Sequence, residues 1–127
     1  MLKNRVAGLY IVVYHIFMKK FHKQICIFLS DNGVALLRSV PGLRMATIVR
    51  IAIAEKYARV KDQPKQPTIF PASKSAKKRR VFLLSNEHVD MAWYIVRHHS
   101  LFSLSEAVRI SLKEYFIRLE QNTNGDS

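Results

Sequence analysis

The spacing of apolar and polar positions changes period several times along this chain, most legibly between Lys78 and Leu119. Arg79 to Leu84 is a short β-branched and aromatic run that reads as a strand, and Ser85 with Asn86 supplies the polar side chains that start a helix. Val89, Ala92, Trp93 and Val96 then recur at helical spacing. His98 to Ser100 interrupts that pattern and predicts a turn holding both histidines. Ala107, Val108, Leu112, Tyr115, Phe116 and Leu119 resume the helical period on a second helix, for which Ser103 or Ser105 is the natural N-cap. A unit this small cannot close a core. Its strand has a bare edge and its helices have nothing opposite their apolar stripes, so it needs a second strand and a second helix pair.

The same chain carries a candidate for that partner. With Ser30 placed over Ser85, Ile25 to Leu29 falls on Arg80 to Leu84 and Val34 falls on Val89, an offset of 55. In the second helix the offset is 59, with Val49, Arg50 and Ile51 over Val108, Arg109 and Ile110, Glu55 over Glu114, Tyr57 over Phe116 and Arg59 over Arg118. The upstream copy lacks four residues between its helices, where Pro41 and Gly42 make a tighter corner. Repetition at such a period signals architecture. In this copy Gln24 to Leu29 is the strand, and Ser30 or Asp31 caps a short helix through Val34, Leu37 and Val40. A second helix runs from about Met45 to Val60, with Ile48, Val49, Ala52, Ile53 and Tyr57 facing inward.

The chain therefore divides into an apolar and basic extension (1–20), a first copy (21–60), a linker (61–78), a second copy (79–120) and a polar tail (121–127) that is expected to fray. The linker contains Pro64, Pro67 and Pro71 among several lysines. As a flexible coil it would reach about 23 Å, on the order of a small domain's width. A tether of that reach holds the second copy at an effective concentration in the roughly millimolar range.

Strand, helix, turn and helix, with Ser103, Ser105, Glu106 and Arg109 opening the last helix and Gly42, Leu43 and Arg50 at the matching upstream positions, resembles the ribbon-helix-helix DNA-binding family. Two copies on one polypeptide look like the tandem transcription regulators of archaeal viruses. The resemblance implies a mainly α fold with a short two-stranded antiparallel β-ribbon, arranged as a tandem pseudo-dimer. It also implies a ribbon that enters the major groove of double-stranded DNA, second helices packed about a two-fold axis, and a role in transcription regulation.

Composition narrows the alternatives. The formal charge of +12 calls for an anionic partner, and it divides as +8 over residues 1–60, +6 over 61–80 and −2 over 81–127. Cys26 is the sole cysteine, so no internal disulfide can form, and a reducing compartment is expected: the cytoplasm, or the host cytoplasm for a viral protein. Val6 to Met18 is apolar but thirteen residues long, too short to span a bilayer, and lysines stand where a signal-peptide cleavage site would be. It either packs against the core or a neighbouring subunit, or precedes a natural start at Met18. No phosphate-binding glycine loop, paired-cysteine motif or nucleophile elbow occurs. His98 and His99 are adjacent and point about 100° apart on a helix, which is wrong for a metal pair. The expectation is a non-enzyme with no cofactor, metal or small-molecule substrate.

Alternation sorts the ribbon into two faces. Ile25, Ile27 and Leu29, with Arg80, Phe82 and Leu84, are expected against the helices. Gln24, Cys26, Phe28, Arg79, Val81 and Leu83 form the opposite, base-reading face that the resemblance implies. This face departs from the family pattern, because only Gln24 and Arg79 carry side chains suited to hydrogen-bonding edges, of adenine and guanine respectively. Phe28, Val81 and Leu83 either meet thymine methyl groups or are covered by the N-terminal apolar segment. Lys23, Arg44, Lys77, Lys78, Ser103 and Ser105 are the candidate phosphate contacts, the serines doubling as ordinary caps. Self-association of pseudo-dimers is left open. Two rivals stand beside DNA binding: a protein-interaction module, such as an antitoxin or virion component, that uses the apolar ribbon face, and membrane-surface attachment through Val6 to Met18.

Overall fold

A computed structural model describes residues 23–68 and 77–125. The N-terminal segment Val6 to Met18, the question of a start at Met18 and the centre of the linker lie outside the described residues. The order of elements is β1 (Lys23–Leu29), α1 (Asp31–Ser39), α2 (Met45–Val60), β2 (Lys78–Leu84), α3 (Asn86–His99) and α4 (Leu104–Gly125). The fold is mainly helical, with one two-stranded antiparallel sheet among the described residues.

The strands pair from Lys23 opposite Leu84 to Leu29 opposite Lys78, with Cys26 opposite Val81 at the centre. Cys26 and Val81 are also the residues that the offset of 55 superposes. The ribbon is thus symmetric about that rung: Lys23 and Lys78 occupy equivalent ends, as do Gln24 and Arg79. Alternation follows the expected faces. Ile27, Leu29, Phe82 and Leu84 are buried, Ile25 and Arg80 are half-buried, and Gln24, Phe28, Arg79, Val81 and Leu83 are exposed. A two-stranded ribbon is marginal in water, so its stability comes from this inner face packing on the helices.

Serines start the first helix of each half. Ser30 Oγ accepts the Gly33 N–H at 3.0 Å and Ser85 Oγ accepts the His88 N–H at 3.2 Å, each satisfying one orphan donor of the first turn. Asp31, the first residue of α1, adds negative charge at the positive end of the helix dipole. Helix α1 stops at Ser39 and the chain turns through Pro41 and Gly42, whose φ of 79° suits a residue without Cβ. Helix α3 is longer, 14 residues against 9. The four-residue difference between the two offsets is thus taken up by an additional turn of helix.

Two expectations for α3 are corrected, the histidines as turn residues and Trp93 as part of the packed stripe. His98 and His99 are not in a turn; they are the last residues of α3 and are buried, at 2% and 5% exposure. The chain reverses after them at Ser100, in the left-handed region at φ 55°. Trp93 does not lie on the inward stripe and is 41% exposed, while Ile95 is fully buried beside Val89, Ala92 and Val96. Buried positions on a helix recur every three or four residues, and 89, 92 and 96 leave 93 outside the arc they define.

The first part of the linker is tied to α3. Gln66 N–H donates to His98 O at 2.9 Å, Thr68 N–H donates to His99 O at 3.0 Å, and Tyr94 OH donates to Lys61 O at 2.9 Å. His99 Nδ1 lies 2.9 Å from both Thr68 Oγ1 and Gln66 O. Residues 61–68 are therefore anchored chain, with the carbonyls at the end of α3 as acceptors. At the other terminus α4 runs to Gly125, five residues into the polar stretch.

Helix α2 packs against both α3 and α4. Ile48, Val49, Ala52 and Ile53 of α2 join Ala107, Val108, Leu112 and Tyr115 of α4 in one core with the ribbon's inner face. Across α2 and α4, Arg118 donates to both carboxylate oxygens of Glu55, at 2.7 and 3.0 Å, and Arg59 Nη2 donates to Glu114 Oε1 at 3.1 Å. The offset of 59 exchanges these two pairs: it carries Glu55 onto Glu114 and Arg59 onto Arg118. Lys56 Nζ joins Glu114 Oε2 at 2.8 Å from a nearly buried position that the inward stripe did not anticipate.

His98 is the least solvated ionisable group in this layer. Among the described residues neither ring nitrogen has a hydrogen-bond partner, and the ring packs against Tyr94 and His99. Burial lowers its pKa from 6.5, with the nearby His99 and Lys56 acting in the same direction. A lowered folded-state pKa means that the unfolded chain takes up the proton first. Stability attributable to neutral His98 is complete above about 6.5 and is lost as pH falls through the folded value. His88, lowered by burial and by Arg50 against an opposing Glu87, adds a contribution of the same sign. The urea midpoint is expected to fall as pH is lowered from 7 toward 5, and to fall less steeply in His98→Phe. An equal slope in that variant would remove His98 as a cause.

Candidate nucleic-acid interface

The outer ribbon face consists of three rungs of cross-strand neighbours: Gln24 with Leu83, Cys26 with Val81, and Phe28 with Arg79. Phe28, Val81 and Leu83 keep 44%, 53% and 49% of their surface exposed, an unusual amount for three neighbouring large apolar side chains. Arg79 Nε donates to Cys26 Sγ at 2.9 Å, which lays the guanidinium along the ribbon toward the central rung and leaves its Nη groups as the remaining donors. All six residues expected on this face are on it, with Cys26 partly covered.

Cations stand at both ends of the ribbon, Lys23 and Lys78 alternating toward the helix side and Lys77 toward the outer face. Lys23 and Lys78 are exposed at equivalent positions, and Lys77 is exposed just before β2. Lys78 Nζ lies 3.7 Å from Asp31 Oδ1, both side chains being well solvated, so the pair restrains Lys78 little. Arg44 is the exposed N-cap residue of α2 and makes no side-chain cap, which leaves the first amides of that helix without a side-chain acceptor from the cap position.

The opening of α4 is built differently. Ser103 Oγ accepts the Glu106 N–H at 3.3 Å, and Glu106 Oε2 reaches back to accept the Phe102 N–H at 3.2 Å, so the cap is Ser103. Ser105 is buried against the ribbon, where its Oγ accepts the Phe28 N–H at 3.2 Å. Arg109 Nη1 donates to Phe28 O at 2.8 Å. Together they satisfy both backbone groups of Phe28, at the end of an edge that lacks a neighbouring strand. Burial lowers the Arg109 pKa and Glu106 opposes that shift; a guanidinium remains a cation at neutral pH. Of the two serines expected at phosphates, Ser103 is the accessible one and Ser105 belongs to the strand clamp. In α2 the offset of 59 puts Ala46 and Arg50 at the clamp positions. Alanine has no hydroxyl to offer, and Arg50 turns back to Ala46 O at 3.3 Å and Thr47 Oγ1 at 3.2 Å.

The sequence singled out Ser105 and Arg109 as part of a motif, but nothing in it indicated that Phe28 was their target, 77 and 81 positions away. A groove of about 590 Å³ also opens between α1 and α4, floored by Leu29, Leu36, Leu112, Phe116 and Ile117 on the helical side of the ribbon. Among the described residues no group of three or more His, Cys, Asp and Glu side chains is placed to hold a metal ion. Nor is any described helix long and apolar enough to cross a membrane. Comparison of the chain with known protein families, curated sequences and solved structures returned no match.

Proposed function

We propose that this protein is a sequence-selective double-stranded DNA-binding regulator of transcription, a tandem ribbon-helix-helix pseudo-dimer acting in the cytoplasm. The observation that carries this reading is the pairing of two strands 55 residues apart into an antiparallel ribbon whose outer face is solvent-exposed and whose ends carry exposed lysines. A two-stranded ribbon fits the major groove, which is about 12 Å wide. With the ribbon inserted, Lys23, Lys77 and Lys78 follow the phosphates, and Arg44 and Ser103 at the starts of α2 and α4 meet the backbone on either side. Gln24 and Arg79 supply the hydrogen-bonding base contacts. Occupying promoter DNA then blocks or recruits polymerase. No catalytic step, cofactor, metal or small-molecule substrate enters this mechanism.

Neutralising four to six phosphates predicts that affinity drops roughly 100- to 1,000-fold between 50 and 200 mM salt. A gel-shift or anisotropy titration with the DNA upstream of the protein's own gene measures this, and flat binding over that range rejects the reading. Gln24→Ala and Arg79→Ala are each expected to cost about 1–3 kcal/mol of discrimination while general affinity is retained. A footprint that survives both substitutions would move base recognition elsewhere.

One observation favours a second reading, a protein-interaction module. The exposed Phe28, Val81 and Leu83 would suit an apolar partner chain. A stable complex in size measurement without DNA, together with no DNA shift, selects it.

A further inference from the structure

Four of the six side chains on the outer ribbon face lack an ordinary hydrogen-bonding group: Phe28, Val81, Leu83 and the weakly polar Cys26, whose sulfur already accepts from Arg79. The central rung, Cys26 with Val81, contributes no strong donor or acceptor of its own, and the guanidinium that reaches Cys26 belongs to Arg79 of the neighbouring rung. In the major groove guanine, cytosine and adenine present only donors and acceptors, and thymine alone adds a methyl group. Apolar side chains pressed onto a G·C pair would strip water from guanine O6 and N7 and cytosine N4 and give nothing back, an uncompensated desolvation. Over an A·T pair part of that loss is offset by contact with the methyl.

We propose, resting on the DNA-binding reading above, that the ligand of this face is a duplex with an A·T-rich centre, recognised through its thymine methyl groups by Phe28, Val81 and Leu83. The exposed lysines at both ribbon ends make the flanks complementary to a polyanion, which favours nucleic acid over an apolar protein surface as the occupant. The two-fold relation of the ribbon sets the pattern of the site. Phe28 and Leu83 are equivalent positions, so both half-sites carry a methyl contact beside the centre. Gln24 and Arg79 are equivalent but chemically different, so the half-sites diverge there, adenine in one and guanine in the other.

The test uses the full chain. A bound sequence is first selected from a random duplex pool. Its affinity is then compared with that of the same duplex carrying deoxyuridine for each central thymidine, which deletes the methyl and keeps every pairing and hydrogen-bonding edge. The expected results are an A·T-rich centre and a loss of roughly fourfold per methyl removed, the value of one buried methyl-sized group. In Leu83→Ala, an exposed position where folding can be verified by circular dichroism, the uracil penalty should shrink. Selective binding with no uracil penalty, or a G·C centre in the selected sites, overturns this inference and leaves the regulator reading standing. Absence of binding to any duplex at low salt overturns both.

Discussion

Phe82→Ala is expected to cost about 3–5 kcal/mol of folding stability, the usual range for deleting a buried phenyl ring and leaving its cavity. Phe82 is 4% exposed on the inner ribbon face, opposite Ile25 and in one core with Ile27, Leu29 and Leu84. With total stability on the order of 5–15 kcal/mol, that loss takes a large share. It also strikes both halves, because β1 and β2 hold each other against the helices through the same inner face. The control lies one residue away. Val81→Ala removes an exposed side chain at the ribbon's centre and is expected to cost less than about 1 kcal/mol. Urea denaturation of the two variants measures the contrast as a difference in midpoint at unchanged slope. A larger cost for Val81→Ala than for Phe82→Ala would mean that the strand faces are assigned the wrong way round.

Glu114→Ala is expected to cost roughly 3 kcal/mol, near the low end for breaking a buried ion pair by removing one partner. Glu114 accepts from Lys56 at 2.8 Å and from Arg59 at 3.1 Å. Its own side chain is 33% exposed, which moderates the loss because water can enter where it stood. The lysine, at 8% side-chain exposure, cannot turn to solvent easily and is left as an unpaired cation in the core. Lys56→Met in the same chain removes that charge, so the double variant is expected to recover most of the stability. In the equivalent pair Glu55 with Arg118 the cation's side chain is 39% exposed, against 8% for Lys56, so Glu55→Ala should cost less than Glu114→Ala. Equal costs at the two sites would indicate that Lys56 finds another partner.

Local pattern was readable wherever it depends on nearest neighbours. The period-two alternation of ICIFL and RVFLL assigned the ribbon faces, and the burial of Ile27, Leu29, Phe82 and Leu84 follows it. Ser30 and Ser85 announced the first helices because a capping hydroxyl acts only three residues ahead. Repetition at offsets of 55 and 59 carried long-range information as well, since it marked which residues would occupy equivalent places, including Glu55 with Glu114 and Arg59 with Arg118.

Other features have no local signature. Two histidines followed by a serine look like the end of a pattern, and it takes the packing of α3 on its neighbours and of residues 66–68 against His99 to make them interior. Lys56 looks like an ordinary solvated lysine until Glu114 is brought 2.8 Å from it. Ser105 reads as a cap, and the hydroxyl that reaches Phe28 is identified only when the first turn of α4 lies beside β1.

By itself, then, the sequence determined the two strand-and-helices units, their caps, and which ribbon residues share a face. Tertiary structure alone decided the partners of the buried polar groups, among them Lys56 with Glu114 and Ser105 with Phe28. Hydrophobic period is a property of a few consecutive residues, whereas satisfying a buried charge or hydroxyl requires a group from elsewhere in the chain, whose position exists only once the core has closed.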